Sequence, residues 1–192
     1  MRLRDARLSD LADLGGLEVE GFPTDRLSTR SMRRLLSSHS ARLRVLGGDG
    51  QVEGYHLTLF KRGSRIARLY SLVVAPHHRG KGIAESLMAD AEALAVRQGA
   101  RALRLEVRAD NARAIRFYAR LGYRKIGEIP QYYADKATAL RYEKALPVGE
   151  SARAADAAED RSPLDVAVGA TQEAMTGIEL RAAPGLSPAA EG

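Results

Sequence analysis

Apolar residues recur along the first 146 positions with two different periods, and the changes between them cut the chain into short elements. Leu3–Ala6 alternates and reads as a strand. Ser9 and Asp10 then offer a cap to a helical run with Leu11, Leu14, Leu17 and Val19 to one side. The segment Phe22-Pro23-Thr24-Asp25-Arg26 ends that run as a loop, and Ser28 or Thr29 opens a second helix with Met32, Leu35 and Leu36 inward. Arg42–Leu46 and Val52–Phe60 flank Gly47-Gly48-Asp49-Gly50, the pattern of a β-hairpin. Arg65–Ala75 is a further strand, and its stretch Leu69-Tyr70-Ser71-Leu72-Val73-Val74 is almost continuously apolar, as a central strand covered on both faces requires.

After Pro76 and a glycine-rich turn, Ile83, Leu87, Ala91, Leu94 and Ala95 mark a helix that Gly99 stops. Leu103, Leu105 and Val107 alternate with Arg104 and Glu106 on a strand. Asp110 or Asn111 starts a helix bearing Ala114, Ile115, Phe117, Tyr118 and Leu121, with Gly122 just past its end. Tyr123–Glu128 and Thr138–Leu146 are two last strands, joined by a loop that holds Pro130, Tyr132 and Tyr133. The order β-α-α-β-β-β-α-β-α-β-β predicts one α/β domain over residues 1–146, a mixed central sheet with flanking helices.

Composition changes abruptly at Pro147. The remaining residues, 147–192, carry eight acids, three bases and no aromatic residue, although the whole 192-residue chain has a net charge of +6. Such a stretch cannot bury enough apolar area to offset its ordering entropy, so a low-complexity, disordered acidic tail is expected. The folded part is correspondingly basic, which fits a nucleic-acid surface, a polyanion pocket or plain solvated arginine. The block Arg30-Ser31-Met32-Arg33-Arg34 has the spacing of a wet helix face, and no zinc-finger, RNA-binding or basic-zipper pattern occurs, so nucleic acid is not the expected partner. No apolar run reaches membrane-spanning length and the first residues lack the apolar core of a secretory signal. Cysteine is absent, which removes disulfides, thiolate ligands and a cysteine nucleophile. A cytoplasmic protein without a membrane partner is the expectation. No His or carboxylate spacing suggests a metal.

The turn Arg79-Gly80-Lys81-Gly82-Ile83-Ala84 joins the central strand to its helix. Small residues there let backbone N–H groups converge, the helix N-terminus adds partial positive charge, and Arg79 and Lys81 add full charges. A diphosphate would be well held, although a plain strand–helix turn would use glycines as well. Two other phosphate loops do not fit: no G-x-x-x-x-G-K-[ST] frame exists, and Glu85 stands where a dinucleotide fingerprint needs glycine. Glu106 could pass for a ribose-binding acid, but three strands precede the one that leads into this turn, whereas that fingerprint follows the first strand.

Val73-Val74-Ala75-Pro76 followed by Arg79-x-x-Gly82-x-Ala84 resembles the acetyl-CoA loop of the GNAT acetyltransferases, with Ala84 where glycine is commoner. Leu105-Glu106-Val107-Arg108-Ala109-Asp110-Asn111, then Ala114, Tyr118, Gly122 and Tyr123, is similar to the second half of that family, most of all to its RimI-like branch of N-terminal amine acetyltransferases. The resemblance implies an acetyl-CoA-dependent N-acetyltransferase on an acyl-CoA N-acyltransferase fold. It assigns the cofactor to Val73, Val74, Arg79, Gly80, Lys81, Gly82, Ile83, Ala84, Asn111 and Tyr118. Tyr118 becomes the general acid for the leaving thiolate, and an ordinary tyrosine pKa of about 10 against about 8.5 for a thiol suits that task. Spacing alone would equally make it a buried helix aromatic beside Phe117.

Glu106 becomes the candidate base, through water; a solvated strand carboxylate is the simpler alternative, and an arginine beside it would oppose the role. Asn111 either contacts the cofactor or caps its helix. The resemblance also places Tyr132 and Tyr133 against the acceptor peptide, with Phe22 and Asp25 forming the opposite wall. His77 and His78 are expected to be exposed loop residues. A small-molecule amine is the nearest rival acceptor, and a CoA-binding sensor without turnover is a further alternative.

Overall fold

The computed structural model describes residues 2–22, 25–48 and 50–147. The expected tail therefore lies outside the described residues, Pro147 apart. Seven strands and four helices follow one another as β1 (Arg2–Asp5), α1 (Leu11–Gly21), α2 (Thr29–Leu36), β2 (Ala41–Gly48), β3 (Gln51–Phe60) and β4 (Ile66–Val74). Then come α3 (Ile83–Arg97), β5 (Ala102–Arg108), α4 (Ala112–Arg120), β6 (Arg124–Ile129) and β7 (Ala139–Ala145). Element order and type match the sequence expectation throughout. Short 3-10 turns at Leu8–Asp10 and Pro76–His78 are additions to it.

The sheet runs β1-β2-β3-β4-β5-β7-β6, and only the β4–β5 pair is parallel. Its two faces carry separate cores. Leu11, Leu14 and Leu17 of α1 with Met32 and Leu35 of α2 pack on Val45, Tyr55, Leu57 and Tyr70. Ile83, Leu87 and Ala91 of α3 with Ala114, Phe117 and Tyr118 of α4 pack on Leu69, Leu72, Leu103, Leu105 and Val107. β4 feeds both cores, which is why its sequence is apolar almost without a break.

Val19 is a correction. It is 57% exposed, and its neighbour Glu18 is buried in its place. The Glu18 carboxylate accepts hydrogen bonds from the Tyr55 hydroxyl and the Leu27 backbone N–H, and Tyr55 lies 3.0 Å from Ser71 Oγ. A charge satisfied by partners on β3 and ahead of α2 can occupy the inward position.

The feature that positions the site is a fork in the sheet. β4 pairs with β5 only from Ile66 opposite Ala102 to Leu69 opposite Leu105. Directly beyond, β4 holds a bulge: Thr58 of β3 faces Leu69 while Leu57 faces Ser71, leaving Tyr70 as the extra residue. An inserted residue bends and twists its strand, and from there β4 and β5 part. β5 keeps β7 on its other edge as far as Arg108. No helix of the described residues is long and apolar enough to cross a membrane.

Candidate active site

The fork opens toward the turn that connects β4 to α3. Gly80 (φ 76°) and Gly82 (φ 77°) are both left-handed there, and Gly82 is the residue that caps α3. A Cβ at either position would meet nothing within 4 Å, so glycine serves the backbone conformation rather than side-chain packing. Beside the turn lies a cavity of about 380 Å³ between the start of α3 and one face of α4. Val74, Arg79, Gly80, Gly82, Ile83 and Ala84 line one wall, and Arg113, Arg116, Phe117 and Arg120 line the other.

The cavity is strongly cationic. Glu85 offsets Arg120 at 2.8 Å, but Arg113 and Arg116 make no ion pair among the described residues. Arg79 Nε is buried and has no hydrogen-bond partner among them. Burial, and then the charge of Arg113, lower the Arg79 pKa below its ordinary value. An orphaned guanidinium N–H, backbone free of Cβ atoms and several like charges together fit a diphosphate, which would restore partner and charge balance at once.

The structure places the sequence-derived residues unevenly. Val74, Arg79, Gly80, Gly82, Ile83 and Ala84 meet at this cavity, whereas Lys81 is exposed outside its lining and Val73 points into the α1/α2 core. Asn111 caps α4, its Oδ1 accepting from the Ala114 N–H at 2.9 Å. His77 is exposed as expected, but His78 lines the cavity with Nδ1 2.9 Å from Glu53 Oε2. The arginines of α4 were not singled out in the sequence, although their spacing at 113, 116 and 120 marks one helix face.

Tyr118 stands on α4 in the α3/α4 core, outside the cavity lining, 2% exposed and with the rings of Phe117 and Tyr123 beside it. Burial pushes its pKa well above the ordinary tyrosine value, and its hydroxyl makes no hydrogen bond among the described residues. The phenol is thus protonated at neutral pH with its proton uncommitted.

Glu106 is the first β5 residue past the last β4–β5 pair. It is 1% exposed, so the solvated-carboxylate alternative does not hold. Oε2 accepts from Arg68 Nε at 2.9 Å and Oε1 from Arg141 Nε at 3.0 Å. Arg68 Nη2 also donates to the Tyr132 hydroxyl. Both carboxylate oxygens are therefore engaged by guanidinium groups. Neither arginine was legible as its partner, because β4, β5 and β7 come together only through long-range register.

Tyr133 packs under Arg108, 4.7 Å from the guanidinium carbon to the ring centre, with a buried hydroxyl that has no hydrogen-bond partner among the described residues. Phe22 is 3% exposed within the α1/α2 core, so its ring offers little surface to an acceptor. Asp25 is half-buried with a left-handed backbone, φ 57°.

A forked mixed sheet with a glycine turn and a cationic cavity beside it defines a protein built to hold a ligand that carries a diphosphate. The model of the acetyltransferase (GNAT) family matches residues 16–123, and the chain belongs to that family. It is an N-acetyltransferase. Among its relatives is a Bacillus subtilis protein provisionally named a ribosomal protein bS18-alanine N-acetyltransferase, 28% identical over 133 residues, or 69% of this chain and 87% of the relative. Streptothricin acetyltransferase of Streptomyces lavendulae is 37% identical over 102 residues, 53% of either chain. Among solved structures, Ard1 from Thermoplasma volcanium superposes with a TM-score of 0.69 at 26% identity, covering 76% of this chain and 97% of that one.

Proposed function

We propose that the protein transfers an acetyl group from acetyl-CoA directly to a primary amine, the α-amine of a protein or peptide N-terminus. The observation that carries this reading is the fork between β4 and β5 leading into the cationic cavity between α3 and α4. Arg79, the turn backbone at Gly80–Gly82 and the α4 arginines would hold the diphosphate, and the unpaired edge of β4 at Val73 and Val74 would receive the pantetheine arm. The Asn111 side chain, which caps α4, would also border that arm. Acetyl-CoA supplies a thioester whose carbon accepts the amine.

In that step the C–N bond forms, the C–S bond breaks, the amine gives up a proton and the leaving sulfur gains one. Tyr118 is the donor to sulfur: its proton is retained at neutral pH and is aimed at no other group of the described residues. Cysteine is absent from the chain, so transfer through a cysteine acyl-enzyme has no nucleophile. Proton removal from the acceptor asks little, since an α-amine with a pKa near 8 is about one-tenth neutral at pH 7, while lysine is below about one-thousandth. This favours an N-terminal acceptor at a site where Glu106 is doubly engaged; water relayed to Glu106 takes the proton. Tyr132, Tyr133 and Asp25 border the acceptor side.

The relative named a bS18-alanine N-acetyltransferase and another, of Sulfurisphaera tokodaii, named an N-alpha-acetyltransferase support a protein α-amine, and the streptothricin relative keeps a small-molecule amine as the second reading. Thiol release measured with N-terminal peptides, internal-lysine peptides and small amines decides between them. Turnover highest with N-terminal peptides is expected. Turnover confined to small amines supports the second reading, and acetyl-CoA binding without thiol release from any acceptor leaves a sensor.

A further inference from the structure

Among the described residues α1 packs chiefly on β3 and β4, and α2 on β2, so on their side of the sheet neither helix packs chiefly on β5, β7 or β6. The open strip carries charges of both signs, gathered into ion-paired clusters. Arg104 places Nε 2.9 Å and Nη2 2.6 Å from Glu143 Oε2. Arg108 reaches both Asp110 at 3.0 Å and Asp135 at 2.8 Å, which leaves that end of the strip with one negative charge in excess. The centre of the strip differs: Arg68 and Arg141 share the single carboxylate of Glu106, leaving one positive charge in surplus.

The two arginines are not equivalent. Arg68 uses Nε and Nη2 on Glu106, and Nη2 also on Tyr132. Arg141 uses Nε alone; its terminal nitrogens donate to nothing among the described residues, and its side chain is 38% exposed. A guanidinium fixed through Nε presents its terminal nitrogens in the planar fork that matches a carboxylate. Arg141 lies directly opposite Glu106 in the β5–β7 register, one strand spacing (about 4.8 Å) from the mouth of the fork.

We propose that Arg141 selects acceptors that carry a carboxylate within a few bonds of the reactive amine. The carboxylate is either the side chain of an acidic residue near a peptide N-terminus or the α-carboxylate of a free amino acid. Arg141 is a specificity residue here, with Glu106 and Arg68 holding it in place. The inference rests on the fork being the acceptor site, and it deepens that reading by naming the acceptor's charge.

The test uses the full chain and kcat/KM for matched acceptors. Peptides with Asp or Glu at the second position are compared with their Asn or Gln counterparts and with Lys, and a free amino acid is compared with its amide. The acidic acceptor should be favoured by about tenfold or more, through KM, with the preference shrinking as salt rises. Arg141→Gln should erase the ratio, Arg141→Lys should keep part of it, and Arg141→Glu should turn it toward the Lys peptide. Whichever series shows the ratio identifies the source of the carboxylate. Equal rates for acid and amide in the wild type, or a ratio untouched in Arg141→Gln, overturn the proposal while amide turnover leaves the transferase reading standing. No turnover of any acceptor overturns both.

Discussion

Single side chains in this site are defined by what they are denied. Tyr118 is buried without a hydrogen-bond partner among the described residues, and that denial raises its pKa and keeps the proton on the phenol. Tyr118→Phe should lower kcat by roughly 100-fold and leave the Kd for acetyl-CoA within about twofold, because the ring packing against Phe117 and Tyr123 survives. Thiol release and calorimetry together check this, and unchanged kcat would remove Tyr118 from the chemistry. The tyrosine's position on its helix was legible from the sequence, since Ala114, Phe117 and Tyr118 follow one helical face. The surroundings of Glu106 were not. Its alternation with Leu105 and Val107 put it on the polar face of β5, and only the approach of β4 and β7 turned that face into a buried arginine clamp.

At the scale of elements, the site depends on two local decisions by the chain. One is the β4 bulge at Tyr70, which nothing in an apolar run announces, because an inserted residue changes register and not composition. The other is the arginine face of α4, which places positive charge across the cavity from the Gly80–Gly82 turn. Arg113 and Arg116 are exposed and make no ion pair among the described residues, so reversing both should cost little stability. Arg113→Glu with Arg116→Glu should raise KM for acetyl-CoA by tenfold to roughly 100-fold, the scale of one or two charge-assisted hydrogen bonds, while KM for the acceptor stays near its original value. Initial-rate kinetics with each substrate varied in turn separates the two. An unchanged KM for acetyl-CoA would place the diphosphate elsewhere. These arginines had a readable spacing but stood among 30 basic residues, most of them ordinary surface, so charge alone could not pick them out.

Across the whole molecule, the sheet and α3 are joined by a buried polar contact that no local pattern encodes, and it should set the acid limit of stability. His56 of β3 is fully buried; its Nε2 lies 2.9 Å from Asp90 Oδ2 on α3 and its Nδ1 3.1 Å from Thr58 Oγ1. The neutral ring satisfies both contacts, with Nε2–H donating to Asp90 and Nδ1 accepting from the Thr58 hydroxyl. Burial lowers the His56 pKa below its ordinary 6.5 despite Asp90, and Arg44, whose Nε is 2.9 Å from the same carboxylate, opposes protonation further. Burial would raise the Asp90 pKa, but hydrogen bonds from His56 and Arg44 outweigh it and hold the carboxyl at about 2. Both groups therefore bind protons more readily in the unfolded chain. Below about pH 6.5 the unfolded state takes up a proton at His56 that the folded state refuses, so stability falls with pH, by at most about 1.4 kcal/mol per unit for this one group. Asp90 adds a second loss between about pH 4 and 2. Urea denaturation at pH 7.5, 6.5 and 5.5 should show the midpoint dropping across the series with a constant m-value. His56→Gln should lower the midpoint at pH 7.5, where the imidazole packing is lost, yet flatten the decline toward pH 5.5. A variant that declines as steeply as the wild type would mean that other groups set the acid limb.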